Sequence, residues 1–162
     1  MNMGLFGLIV SVNSKGYIGK NNQLMYHNKE DMKHFKNITT NSVVVMGYNT
    51  YLSMNCKPLP NRYNVVFTNK CLHSTSNTQF TNNVNDVLEL SKYNDIWIIG
   101  GSSIYKLFEP YYNIAYITNN TNSEVGDILF PYINLDDFIK TTILVTENIR
   151  IDKYEICNRH RS

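Results

Sequence analysis

At 162 residues, with hydrophobic residues at 43% and charged residues at 17%, the chain has the size and composition of one ordinary globular domain with an ample core. Its formal charge of +2, without a basic stripe or an aromatic-interleaved Lys/Arg run, leaves no footprint for a nucleic-acid partner, and no apolar run approaches membrane-spanning length. Cys56, Cys71 and Cys157 are odd in number and widely spaced, which suits free thiols in a reducing cytosol better than disulfides or a metal site.

The N-terminal stretch from Met1 to Val10 lacks a cationic start, so it reads as a first strand and not as a signal peptide. Leu5 to Val12 is an apolar run suited to a buried strand. Asn13 to Tyr26 is a polar, Gly-containing loop. Asn28 to Lys36 predicts a short helix. Ser42 to Met46 is a second buried strand, and Gly47 opens a short helix through Thr50 and Tyr51. Lys57-Pro58-Leu59-Pro60-Asn61 is a turn-rich connection. A strand over Tyr63 to Thr68 and a polar loop over Lys70 to Thr78 follow. Val84 to Lys92 carries a helical apolar pattern, Asp95 to Ile99 is a strand, and Gly100-Gly101 leads into a helix reaching Glu109. Asn113 to Thr118 is again a strand. Phe138 to Glu147 and Ile149 to Cys157 are joined tightly at Asn148, which predicts a closing β-hairpin. Strand–helix alternation therefore predicts a single-domain α/β fold with a mostly parallel central sheet, flanking helices and a C-terminal antiparallel hairpin.

Asp31 is the most informative residue. On a helix it shares a face with Met32 and Phe35, so it is a carboxylate on an apolar wall. Such a group needs a partner, and nothing local on that face supplies one; a ligand would. The plain alternative is that Asn28 caps the helix and Asp31 occupies its third position, where acidic residues are favoured by capping and the helix dipole.

A second feature is Ile98-Ile99-Gly100-Gly101-Ser102-Ser103-Ile104-Tyr105. Two glycines between strand and helix allow close approach of a ligand, and a helix N-terminus offers free N–H groups to an anion such as a pyrophosphate. The GxGxxG fingerprint is absent, and a tight turn with Ser102 as N-cap is the plain reading. Val45-Met46-Gly47-Tyr48-Asn49-Thr50 repeats the arrangement. Two such sites at strand C-ends suit a dinucleotide bound in a crevice. A third feature is Arg62, set by a Pro-rich turn where it could clamp a carboxylate bidentately, although a surface Arg is often merely solvated. Four scattered His residues show no ligand spacing, so no metal is expected. Asparagine is so abundant that it is discounted as a functional signal.

Taken in order, these pieces resemble dihydrofolate reductase over nearly the whole chain. The stretches that carry the resemblance begin with Leu8-Ile9-Val10, Gly16 to Leu24, and Glu30 to Lys36. They continue with Val44-Val45-Met46-Gly47 followed by Thr50-Tyr51 and Ser53, and then Pro58 to Arg62. Ile99-Gly100-Gly101 with Ile104-Tyr105, and Gly126-Asp127 with Phe130-Pro131, complete it. Each is weak alone; seven in the family's order are specific.

The resemblance implies NADPH as cofactor and dihydrofolate as substrate. No feature demands a dimer, so a monomer is expected, with no nucleic-acid or membrane partner. Asp31 would hold the pterin ring through its 2-amino and N3 groups and assist protonation of N5. Thr118 would orient Asp31, and Tyr26 would stand where the family usually has the Trp of a Pro-Trp pair, here Met25-Tyr26. Ile9, Met32, Phe35, Met54, Leu59 and Ile99 would line the pterin and aminobenzoyl pocket, with Arg62 on the glutamate α-carboxylate. Tyr105 would sit beside the nicotinamide, whose side would be lined by Ser11, Ile18 and Gly19, with Leu24 in the closing loop. Gly47, Tyr48, Asn49, Thr50, Thr68, Asn69, Gly100, Gly101, Ser102, Ser103 and Ile104 would carry the phosphates and adenosine. Tyr48 and Ser103 replace two Arg that the family often uses there; Lys70 could compensate. Two rival readings are a pyrimidine reductase of riboflavin synthesis, which shares the sheet and the Gly-Gly turn, and a non-catalytic binding protein on a decayed reductase scaffold. Asp31 and Arg62 argue against the first, and Thr118, Gly100 and Gly101 against the second.

Overall fold

The structure, a computed structural model, describes residues 4–157; the expectation for Met1 to Met3 lies outside the described residues. β1 (Phe6–Val12) lies near the middle of an eight-stranded sheet of order β5-β4-β3-β6-β1-β7-β10-β9. Its other members are β3 (Val43–Gly47), β4 (Tyr63–Phe67), β5 (Thr78–Thr81), β6 (Ile96–Gly100), β7 (Ile114–Asn120), β9 (Phe138–Val145) and β10 (Ile149–Ile156). All neighbours from β5 to β7 pair in parallel; β10 runs antiparallel to both β7 and β9. The expected parallel sheet with a closing hairpin is the observed architecture.

The strands are near-continuous apolar runs because helices cover both faces. Alternate residues supply two separate cores. On one face Val43, Val45, Ile96, Ile98 and Phe108 pack with Val87 of α3 (Val84–Leu90) and Ile104 of α4 (Ser102–Leu107). On the other, Ile9, Val44, Met46, Trp97 and Tyr116 pack with Phe35 and Ile38 of α1 (Lys29–Thr39) and with Tyr48, Tyr51 and Met54 in and beside α2 (Tyr48–Ser53). From β1 the chain moves toward β3, and from β6 it crosses to β7 on the other side of β1. Neighbouring strands β1 and β6 thus send their connections opposite ways, and a crevice opens at such a switch beyond the strand C-ends.

Several boundaries differ from the expected ones. The loop between β1 and α1 contains a short strand, β2 (Tyr17–Gly19), paired with β8 (Ile128–Leu129). The polar loop after β4 ends in the edge strand β5. Strands of two to four residues carry too little pattern to register in sequence. The helix expected to reach Glu109 stops at Leu107 and gives way to a 3₁₀ turn, Glu109–Tyr111, because Pro110 cannot supply an N–H to continue it.

Candidate active site

Asn28 caps α1: its side chain accepts the backbone N–H of Asp31 at 3.0 Å. Asp31 therefore stands at the third helical position, as the plain reading requires. That reading does not exhaust it. The Asp31 side chain reaches across to β7, where the Thr118 hydroxyl donates to its Oδ1 at 2.5 Å. Thr118 is buried at the C-terminal part of β7, directly beside Ser11 of β1 in the parallel ladder.

Burial raises the Asp31 carboxyl above the ordinary range. The Thr118 hydrogen bond, the nearby His34 and the neighbouring Ser11 hydroxyl pull the other way. The expectation that nothing local could pair with Asp31 needs correction, since His34 lies one turn along the same helix. Its ring meets Tyr116 edge-on at 5.0 Å between centroids, and burial lowers its pKa, with Asp31 opposing. His34 Nε2 and Trp97 Nε1 are buried without a hydrogen-bond partner among the described residues.

Opposite this carboxylate, β3 and β6 end in glycines. Gly101, and not Ser102, is the N-cap of α4; Gly47 is the N-cap of α2; neither helix has a side-chain cap. The two turns abut. A Cβ on Gly47 would come within 3.1 Å of Ile104 Cγ1 and 3.8 Å of the Gly101 nitrogen. Gly100 has φ +122°, a left-handed conformation that suits only glycine. Tyr105 is buried under this turn and donates its hydroxyl to the Ile9 carbonyl at 2.8 Å, tying α4 to β1.

At the other end of α1, Arg62 is fixed from two sides. Its Nε donates to the Pro60 carbonyl at 2.9 Å and its Nη1 to Thr39 Oγ1 at 3.0 Å. Three of its five N–H groups make no protein hydrogen bond among the described residues. Asn64 of β4, fully buried, holds the turn: its side chain accepts from Leu59 N–H and donates to the Leu59 and Arg62 carbonyls, at 2.9, 3.0 and 3.1 Å. Carboxylate and glycine turns thus share the C-terminal rim of one sheet, while Arg62, just before β4, stands at the opposite end of the α1 face.

The sequence matches the dihydrofolate reductase family profile over residues 5–160. The chain belongs to the dihydrofolate reductase family. It is 32% identical over 142 residues to a dihydrofolate reductase of Ureaplasma parvum, a match covering 87% of this chain and 83% of that one. It is 36% identical over 161 residues to the type 9 dihydrofolate reductase of Escherichia coli, covering 90% and 88%. A solved dihydrofolate reductase from Enterococcus faecalis, complexed with NADP(H) and RAB-propyl, superposes with a TM-score of 0.84 at 28% identity, covering 95% of this chain and 97% of that chain. The protein is therefore an oxidoreductase, and the riboflavin-pathway and decayed-scaffold readings are not favoured.

The reductase brings most of the expected residues to this rim or to the α1 face below it. Ile9, Phe35, Met54, Leu59 and Ile99 belong to the core face that carries Asp31, and Tyr26 packs there too. Met32 is 59% exposed and Leu24 64%; both are apolar side chains left facing open space. Ile18 and Gly19 lie in β2, held to the 126–129 segment: Asp127 N–H donates to the Gly19 carbonyl at 3.0 Å, and Asn21 N–H to the Asp127 carboxylate at 2.9 Å. Thr50 lies against the Gly100–Gly101 turn. Asn49, Asn69 and Ser103 are exposed, and Ser102 and Thr68 are half-buried.

Lys70 Nζ sits 4.6 Å above the Tyr48 ring centroid. The cation expected to stand in for a missing Arg is therefore beside the very residue that replaces one. His34, Asn64 and Asn120 were not picked out by sequence reasoning. The i, i+3 spacing of Asp31 and His34 was a usable signal; for the two asparagines only the discounted Asn count was available.

Proposed function

We propose that the reductase catalyses the NADPH-dependent reduction of 7,8-dihydrofolate to 5,6,7,8-tetrahydrofolate, with hydride delivered to C6 and a proton to N5. The observation that carries this reading is the Asp31–Thr118 pair, 2.5 Å across, on the same rim as the Gly100–Gly101 turn. Asp31 offers its free carboxylate lone pairs to the 2-amino and N3 hydrogens of the pterin. Its negative charge favours the protonated ring, so it manages the proton without entering a covalent step. Ile9, Phe35, Met54, Leu59 and Ile99 exclude water from the ring and aminobenzoyl group. Arg62 presents its free N–H groups to the glutamate α-carboxylate.

The glycine turns fit the cofactor. Gly47 and Gly101 present no side chains where the two turns abut, so backbone N–H groups can approach a pyrophosphate closely. When bound, NADPH supplies the hydride. Tyr105 fixes β1 against α4 beside the nicotinamide, with Ser11, Ile18 and Gly19 lining that side. Tyr48, Thr68, Asn69, Lys70 and Ser103 meet the adenosine 2′-phosphate. A monomer is expected, and the exposed Cys56 and Cys71 thiols suit a reducing cytoplasm.

The test is cofactor oxidation followed at its absorbance maximum with and without dihydrofolate. Oxidation that depends on dihydrofolate, and is faster with NADPH than NADH, is expected. No dihydrofolate-dependent oxidation, with both ligands shown to be present in excess, overturns the reading.

A further inference from the structure

Ser11 was expected only to line the nicotinamide side. Its hydroxyl does more. Ser11 and Thr118 are register partners in the β1–β7 ladder, so their side chains project side by side from the same face of the sheet. Asn120, two residues beyond Thr118 on β7, shares that face and is buried. Its Nδ2 lies 2.9 Å from Ser11 Oγ. Its Oδ1 accepts the backbone N–H of Asn122 at 3.1 Å.

These two contacts fix a direction. A backbone N–H can only donate, so the Asn120 atom it meets is the carbonyl oxygen. The other end of the amide is then the NH2 group, which can only donate as well. Ser11 Oγ must accept from it, and the Ser11 proton is released to a different acceptor. Its register partner Thr118 donates to Asp31 Oδ1, which makes the Asp31 carboxylate the acceptor beside the Ser11 hydroxyl.

We propose that Ser11 and Asn120 are positioning residues for Asp31, forming a one-way relay in which the Asn122 backbone N–H donates to Asn120, Asn120 to Ser11, and Ser11 to the carboxylate. The proposal rests on the reading of Asp31 as the pterin-binding group. An ionised carboxylate has about four acceptor sites. Two hydroxyls from the sheet occupy two of them, and two are left for the paired N–H donors of the pterin edge. The relay thus holds the carboxylate plane from behind and favours its charged form. Asn120 never touches the ligand; it acts by setting which way the Ser11 proton points.

The relay can be read in the ligand-free protein by following the Asp31 carboxyl carbon by NMR as pH is varied, with Asp31→Asn to assign the signal. The titratable or charged groups facing Asp31 are His34 on its own helix and, behind that ring, Tyr116 on β7. The His34 ring signals are therefore followed in the same titration. Ser11→Ala is expected to raise the Asp31 midpoint by about 1–2 pH units, the size of one hydrogen bond to a charged group. Asn120→Leu is expected to raise it too, by less, because the Ser11 proton loses its imposed direction.

In the double variant the Asn120→Leu effect should vanish, since its only route to Asp31 has been removed. A midpoint unmoved by Ser11→Ala overturns the proposal. So does an Asn120→Leu shift that persists undiminished in the Ser11→Ala background. Neither outcome depends on turnover. Failure of the dihydrofolate reading would appear in the oxidation assay and not in this titration.

Discussion

Asp31 satisfies two demands at once. As the third residue of α1 it donates its backbone N–H to Asn28, and as a side chain it faces Thr118, Ser11 and the cleft. The capping reading and the functional reading are compatible because they use different atoms. Their energetics oppose each other. The carboxyl pKa is raised in the folded protein, so the folded state binds a proton more tightly than the unfolded chain. The resulting stability is present below the unfolded carboxyl pKa and is lost as pH rises through the folded one. At pH 7 the ionised group is therefore a net cost to the fold. Asp31→Asn should lose most dihydrofolate turnover at pH 7, by on the order of a hundredfold or more. It should regain part of that activity at low pH, where substrate arrives protonated. The same variant should melt at or above the wild-type temperature at pH 7, with the gap closing near pH 4. Turnover like that of wild type at pH 7 would remove Asp31 from the chemistry; a melting point well below wild type would remove the strain argument.

At the scale of elements, long and strongly patterned segments were legible in the sequence and short ones were not. The apolar runs in β1, β3 and β6 could only be buried strands, and the two glycine turns announced themselves by lacking side chains where chain direction changes. β2 and β8 were invisible because their pairing is with each other across more than a hundred residues. Gly126 shows how tight that pairing is. An added Cβ would run into the Gly19 carbonyl and come 2.7 Å from Met25 Sδ. Asn13 reinforces the same junction by donating its side-chain N–H to the Glu124 carbonyl at 2.8 Å. Gly126→Ala should therefore spare the sheet but loosen residues 17–24 from 124–129. The expected result is faster amide exchange confined to those two segments, with kcat lowered by about tenfold if, as proposed, this loop closes beside the nicotinamide. Unchanged exchange at Tyr17 to Asn21 would show that the junction adapts without cost. The asparagines were lost for a different reason. In a chain this rich in Asn, composition cannot distinguish Asn64 and Asn120, which are buried and fully engaged, from their exposed counterparts.

At the scale of the molecule, the proposed site is divided between two sets of elements. On that reading α1, β1, β7 and the turn clasped by Asn64 build the substrate half, and α2, α4 and the end of β4 build the cofactor half. Arg62 and Lys70 lie in different halves, and no residue that hydrogen-bonds Arg62 also contacts Lys70. Their effects should therefore separate. Arg62→Leu removes the charge-assisted contact proposed to the glutamate tail, worth roughly 2 kcal/mol, so the KM for dihydrofolate should rise about 30-fold and the KM for NADPH hardly at all. Lys70→Ala removes the cation beside Tyr48. The KM for NADPH should rise about tenfold while that for NADH changes less than about twofold, because only NADPH carries the 2′-phosphate. In the double variant the two losses should add, as they do for sites without shared partners. The decisive measurement is kcat/KM for NADPH and NADH in all four proteins at one fixed ionic strength. If Lys70→Ala weakens both cofactors equally, Lys70 supports the Tyr48 ring and does not face the phosphate. Discrimination would then have to rest on Thr68, Asn69 and Ser103, whose neutral donors bind a phosphate about half as strongly as charged ones.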